Sequence, residues 1–477
     1  METKMIFSSI TFLLYFLPIT LMLYYLAPKR CKNGVLFLCS LFFYAWGEPV
    51  YVSLMLFSTA LDYTCGRLID KNRGTVWAKF FLMVSVVVNL GMLCTFKYSG
   101  MFARAVQHFF HYSLAIPSLA LPIGISFYTF QTMSYSIDVY RNVVPVQKNI
   151  LSFGTYVTLF PQLIAGPIVR YETVAKEIDH REHSFDGFSY GVRRFICGLA
   201  KKVLLANNIG LLWEKGSTQI LQGNGSVFMA WLSLAAYGFQ IYFDFSGYSD
   251  MAIGLGSMFG FHFCENFQYP FLAESITEFW RRWHISLGSW FRDYVYIPLG
   301  GSRKGLARQL LNIAIVWFLT GLWHGASGNF ILWGIYFGIL LVIEKVFLLR
   351  LLAKLPHGLG KVYMYLCVTA SWVLFAFTDR MQGLEYFKTM IGRGQTVVWN
   401  HESMYLFVSY LPLCIICLLA ATPLGSRIYQ SIVSLSSKRK LSFCLGTGEI
   451  IVMTALLLLS ITYLISGSYN PFLYFRF

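Results

Sequence analysis

Charge is what this sequence has least of. Asp, Glu, Lys and Arg together make up 13% of its 477 residues, against 56% apolar side chains. A soluble protein carries roughly 25% charged residues to cover its surface. Too little polar surface is available here for a water-soluble fold of this length, which excludes cytosolic, secreted and disordered classes. Acids are scarcer than bases (22 against 38), giving a net charge of +16. The cations sit in short loops between apolar runs, as the positive-inside rule places them, so the excess points away from nucleic acid as a partner.

Other absences narrow the chemistry. The chain holds no G-x-S-x-G elbow, no P-loop and no H-E-x-x-H zinc motif. Its ten cysteines are scattered, mostly in apolar segments. Cys414 and Cys417 stand in a run without the polar partners that zinc or redox use demands, so no metal is expected. Gly254, Gly256 and Gly260 have the wrong spacing for a dinucleotide site and read as helix packing.

What is present is a series of apolar runs near the ~20 residues that a spanning helix needs. Candidate spans fall at about 6–26, 35–62 (broken at Gly47-Glu48-Pro49), 79–96, 121–139, 153–169, 226–245, 309–323, 329–349, 362–378, 404–421 and 449–466. This predicts an all-α polytopic membrane protein with about eleven crossings in one domain, residues 1–477. Cations after the first run (Lys29, Arg30, Lys32) and at 71–79, 303–308 and 438–440 mark the cytoplasmic loops, with the N-terminus outside. Phe185–Leu205 repeats its apolar residues at helical spacing beside Arg193, Arg194, Lys201 and Lys202, the pattern of an amphipathic helix at the membrane surface. Trp280–Asp293 holds three Trp, three Arg and a His. Such a mixture suits neither lipid nor bulk water and belongs inside protein or along a polar cavity.

His324 closes the apolar run Gln309–Trp323, about 22 Å along a helix rising 1.5 Å per residue. An ionisable side chain at that depth is a functional candidate, and imidazole suits general base chemistry near neutral pH. The alternative is a histidine bonded to a neighbouring helix. His284, beside Trp283 and after Arg281 and Arg282, is either a second functional histidine or an interfacial anchor. The cations from Arg281 and Arg282 through Arg292 to Arg308, with Asp293 as the one acid, serve either membrane topology or a phosphate-rich ligand. Asp244 and Asp250 lie beside a span and need partners, for which the nearby arginines are the obvious choice.

Several motifs carry a family resemblance. Trp280-Arg-Arg-Trp-His-Ile-Ser-Leu, Phe291-Arg-Asp-Tyr-Val-Tyr-Ile-Pro-Leu-Gly-Gly and Gly321-Leu-Trp-His-Gly resemble the membrane-bound O-acyltransferases. Phe160-Pro-Gln-Leu-Ile-Ala-Gly-Pro-Ile and Tyr242-Phe-Asp-Phe-Ser-Gly-Tyr-Ser-Asp-Met-Ala-Ile-Gly are similar to the bacterial alginate O-acetylase branch. The resemblance implies membrane helices, with re-entrant and interfacial ones, around a tunnel joining the two membrane faces. It further implies an acyl thioester donor on the cytoplasmic side, acetyl-CoA in this branch, and no bound cofactor. The acceptor would be a polysaccharide hydroxyl reached from outside through an extracytoplasmic partner protein. On this resemblance His324 is the catalytic histidine and His284 lines the tunnel towards the donor. Arg281, Arg282, Arg292, Asp293 and Trp283 form the donor-side mouth, and Asp244, Asp250, Trp323 and Asn329 support the tunnel. The end of the chain, Asn470-Pro-Phe-Leu-Tyr-Phe-Arg-Phe, is similar to a C-terminal motif of a small partner protein in teichoic acid D-alanylation. Tyr474 would then be an acyl relay, or else an aromatic interface anchor. The rival activities are D-alanyl transfer to teichoic acid and, in another class, transport of a glycan or lipid intermediate. Transporters usually show paired repeats with interrupted helices, and none is visible here.

Overall fold

The computed structural model describes residues 5–110, 119–164, 166–393, 396–438, 442–467 and 470–471. Every regular element among them is helical: α1 (Phe12–Leu26), α2 (Lys32–Gly47), α3 (Val52–Lys71), α4 (Val76–Phe110), α5 (Ile125–Tyr140), α6 (Ile150–Thr158), α7 (Phe160–Leu163), α8 (Tyr171–Asp179), α9 (Phe185–Leu221), α10 (Val227–Met258), α11 (Ile276–Arg282), α12 (Ile285–Phe291), α13 (Leu306–His324), α14 (Gly328–Leu352), α15 (His357–Ala376), α16 (Arg380–Met390), α17 (His401–Ala420), α18 (Leu424–Lys438) and α19 (Leu445–Ser466). The all-α expectation holds.

Seven of these helices among the described residues are long and apolar enough to cross a membrane: α4, α9, α13, α14, α15, α17 and α19. Six coincide with expected spans. The seventh, α9, is the segment expected at the membrane surface. It instead continues to Leu221, and two of the cations that suggested a headgroup-facing side are ion-paired: Arg194 with Asp250 and Glu265, and Lys202 with Asp244. The expected span at 226–245 lies inside the continuous 32-residue α10, and the remaining ones take shorter or interrupted forms. The break at Gly47-Glu48-Pro49 separates α2 from α3, and 153–169 splits into α6 and α7. The 16-residue α5 is buried along nearly its whole length.

The chain divides into two compact units. The first comprises Met1–Phe195 with Tyr248–Glu265, and the second Ile196–Gly247 with Asn266–Phe477. In the first, Phe7, Phe12, Phe43 and Phe160 pack ring against ring. The buried Asp62 carboxylate of α3 accepts hydrogen bonds from Asn89 of α4 (2.7 Å) and Ser136 of α5 (2.9 Å). Gly254 meets the backbone of Gly191 and Phe195, where a Cβ would lie 2.6 Å from Gly191 O; this glycine is a helix-packing position, as its spacing suggested.

The second unit carries the histidines. Trp280 of α11 and the following Trp283 pack into an aromatic core with Trp317, Trp333, Phe337 and Trp372. Helix α13 crosses α14 at a pair of glycines. A Cβ on Gly321 would sit 2.5 Å from Phe330 O and 3.2 Å from the Gly334 Cα. Only bare backbone allows that approach.

Candidate active site

Local sequence explains why the Trp280–Asp293 segment forms two short helices rather than a span. Ser275 caps α11 by accepting from Glu278 N at 3.1 Å, and Arg282 closes the helix by pairing with Glu278 at 2.6 Å. Between α11 and α12 the backbone turns through His284, which adopts a left-handed conformation (φ 47°). That conformation is unusual for a residue with a Cβ. It is held by a short antiparallel pairing with residues 266–268: Gln268 N donates to Arg282 O at 2.9 Å and Ile285 N to Asn266 O at 3.0 Å.

The same Asn266 fixes the His284 ring. Asn266 Oδ1 accepts from Ser286 N (3.2 Å) and Ser286 Oγ (2.9 Å), so this atom is the oxygen of the amide. His284 Nδ1, 3.2 Å from it, is therefore the protonated nitrogen. Nε2 is left as an acceptor with no hydrogen-bond partner among the described residues. The residue lies outside the spanning helices, and burial pushes its pKa down to about 3, keeping the imidazole neutral.

His324 ends α13, about 27 Å from Leu306 by helix rise. It is 7% exposed and ringed by Trp323, Trp333, Phe330 and Phe375, whose centroids lie 5.1–6.4 Å away. Trp323 stands between the two histidines, 5.9 Å from His284 and 5.1 Å from His324 by ring centroids. Both imidazoles line one cavity of about 590 Å³. Trp280, Trp283, Trp317 and Phe291 form its apolar walls, Thr277, Ser289 and Thr320 add hydroxyl-bearing side chains, and the exposed Arg281 and Arg292 bring cations to it.

The sequence-named residues therefore separate into groups. His324, His284, Arg281, Arg292 and Trp283 meet at the cavity. Arg282 is held by Glu278, and Asp293 forks onto Arg292 at 2.7 and 3.2 Å; neither lines the cavity. Asp250 pairs with Arg194 at 2.6 Å, as expected of an arginine, whereas the buried Asp244 takes Lys202 at 2.6 Å. Asn329 donates to Phe377 O, tying the start of α14 to the end of α15. Tyr474 lies outside the described residues. The two residues before that stretch are held in the second unit: Lys202 donates to Pro471 O, and Asn207 to Asn470 Oδ1 at 3.2 Å. Among the described residues no group of three or more His, Cys, Asp or Glu is placed to hold a metal ion. Sequence reasoning missed Asn266, which stands outside every motif quoted for the site, eighteen residues before His284.

Two buried imidazoles thus share one largely apolar cavity, with cations among its lining residues. The membrane-bound O-acyltransferase family model matches residues 4–387, and the chain belongs to that family. It is 37% identical to a probable alginate O-acetylase, AlgI, of Pseudomonas putida over 488 residues, covering 99% of this chain and 100% of that protein. A peptidoglycan O-acetyltransferase of Helicobacter pylori is 30% identical over 423 residues, 81% of this chain and 80% of its own length. A teichoic acid D-alanyltransferase of Bacillus subtilis is 25% identical over 267 residues, 54% of this chain and 67% of that one. The protein is a multi-pass membrane acyltransferase.

Proposed function

We propose that this enzyme moves an acetyl group from a thioester, acetyl-CoA, in the bacterial inner membrane to hydroxyls of an exported or cell-wall polysaccharide, through an extracytoplasmic partner protein. One observation carries the reading: His324 and His284 share a single aromatic-walled cavity with Arg281 and Arg292. In this mechanism the donor's phosphates lie against the two arginines, whose planar forks suit phosphate, and its thioester lies at His324. The His324 imidazole takes the proton of the acceptor hydroxyl as that oxygen attacks the thioester carbonyl. The tetrahedral intermediate collapses, the carbon–sulfur bond breaks, and the imidazolium returns the proton to the thiolate. Neutral His284 offers Nε2 as an acceptor without adding a second charge. The aromatic walls exclude water, so that transfer outpaces hydrolysis.

Acetyl is preferred to D-alanyl because the O-acetylating relatives match at higher identity and over more of the chain than the D-alanyl transferase does. The tail adds a relay to the proposal. Pro471, three residues before Tyr474 in sequence, is bonded to the buried Lys202. In this scheme the Tyr474 hydroxyl takes the acyl group at His324 and passes it to the partner outside, with the N-terminus on the outer face as well. The test is base-labile acetate on the host's surface glycans, compared in wild type, a deletion and His324→Ala at matched membrane levels. Loss in both mutants is expected. Retention in His324→Ala overturns the catalytic assignment, and retention in the deletion overturns acetyl transfer, with D-alanine the next group to assay.

A further inference from the structure

The spanning helix α14 is apolar from Phe330 to Ile343 and then carries Glu344, a carboxylate with 0% exposure. An acid buried in such a helix is expensive and needs partners. Among the described residues those partners are neither lysine nor arginine. Glu344 Oε1 accepts from Ile276 N at 2.7 Å, and Oε2 accepts from Thr277 N at 2.8 Å and Thr277 Oγ at 2.6 Å. Ile276 and Thr277 are the first two residues of α11, whose amides have no partner within their own helix. Ser275 supplies the third amide's acceptor. The start of α11 is thus completed from 68 residues away in sequence, and a carboxylate there also complements the helix dipole.

Helix α11 has seven residues, too few to persist without outside support. It places Thr277, Trp280 and Arg281 on the cavity and leads directly into the left-handed His284. We infer that Glu344 is a positioning residue of this enzyme: its carboxylate fixes α11 and thereby sets where Arg281 and Trp280 meet the donor. The inference rests on the donor site proposed above, and it assigns Glu344 no contact with substrate.

The test uses the full-length protein in lipid nanodiscs and the isosteric Glu344→Gln, which keeps the shape but turns an amide N–H towards two backbone donors. Glu385→Gln removes an exposed acid that pairs with Lys388 and serves as the control. Two readouts are taken. In ligand-free protein, amide hydrogen exchange at 276–284 is expected to rise about tenfold in Glu344→Gln, with α13 unchanged. With acetyl-CoA as the varied substrate, KM is expected to rise about tenfold while kcat stays within about twofold, the pattern of lost donor positioning. Unchanged exchange at 276–284, or a fall in kcat with KM unchanged, overturns the inference. So does a general rise in exchange across the second unit, which marks Glu344 as a stability residue only. If the wild-type protein transfers nothing from acetyl-CoA, the proposed function fails on its own terms. Exchange then still decides whether Glu344 holds α11.

Discussion

Asn266 Oδ1 stands 3.2 Å from His284 Nδ1 and also accepts both the backbone N–H and the hydroxyl of Ser286. One amide oxygen therefore sets the tautomer of the histidine and anchors the first turn of α12. Asn266→Ala removes all three bonds. Its expected effect is a loss of about 10- to 100-fold in acyl transfer through ring misplacement, and about 1–3 kcal/mol of stability for the buried hydrogen bonds removed. Initial rates and thermal unfolding of the purified variant check both.

Burial of His284 lowers its pKa to about 3, against about 6.5 when unfolded. Between those values the unfolded chain binds a proton that the folded chain does not. Folding stability from this residue is thus complete above pH ~6.5 and falls as pH drops towards ~3. Unfolding midpoints measured from pH 4.5 to 7.5 should climb with pH and flatten above ~6.5. His284→Gln should flatten part of that climb.

Arg281 and Arg282 are neighbours with different tasks. Arg281 lines the cavity, whereas Arg282 is engaged by Glu278. Arg281→Ala is expected to raise the KM for acetyl-CoA about tenfold, the worth of a charge-assisted phosphate contact, and to steepen inhibition by salt less than wild type. Arg282→Ala should leave KM near its wild-type value. Equal effects on KM would place both side chains on the donor.

Lys202 and Asp244 are buried together, at 1% and 4% side-chain exposure. Removing one partner strands a charge. Lys202→Met is expected to destabilise by about 3–5 kcal/mol, and the double variant Lys202→Met with Asp244→Leu to recover much of that. Thermal unfolding of the two variants checks the order.

The sequence was most readable where lipid imposes its own rule. Apolar runs of about 20 residues marked α4, α13, α14, α15, α17 and α19. The polar residues that those runs had to tolerate pointed to His324, and the Trp and Arg mixture around His284 pointed to a buried segment. Charge along the chain is a poor guide to exposure. Arg194 and Lys202 suggest a headgroup-facing side of α9, yet each pairs with an acid on α10, and ion pairing lowers the need for water. Asp244 was given an arginine on nearness in sequence and holds a lysine instead.

Composition and hydrophobic period by themselves determined a helical membrane protein with two out-of-place histidines, because the transfer cost of each side chain is a local property. Tertiary structure alone decided what surrounds those histidines. The left-handed turn at His284, the Asn266 oxygen that orients it and the Glu344 carboxylate that completes α11 are contacts between segments up to 68 residues apart. A buried polar atom must find its partner wherever packing brings one, and periodicity along the chain holds no record of that choice.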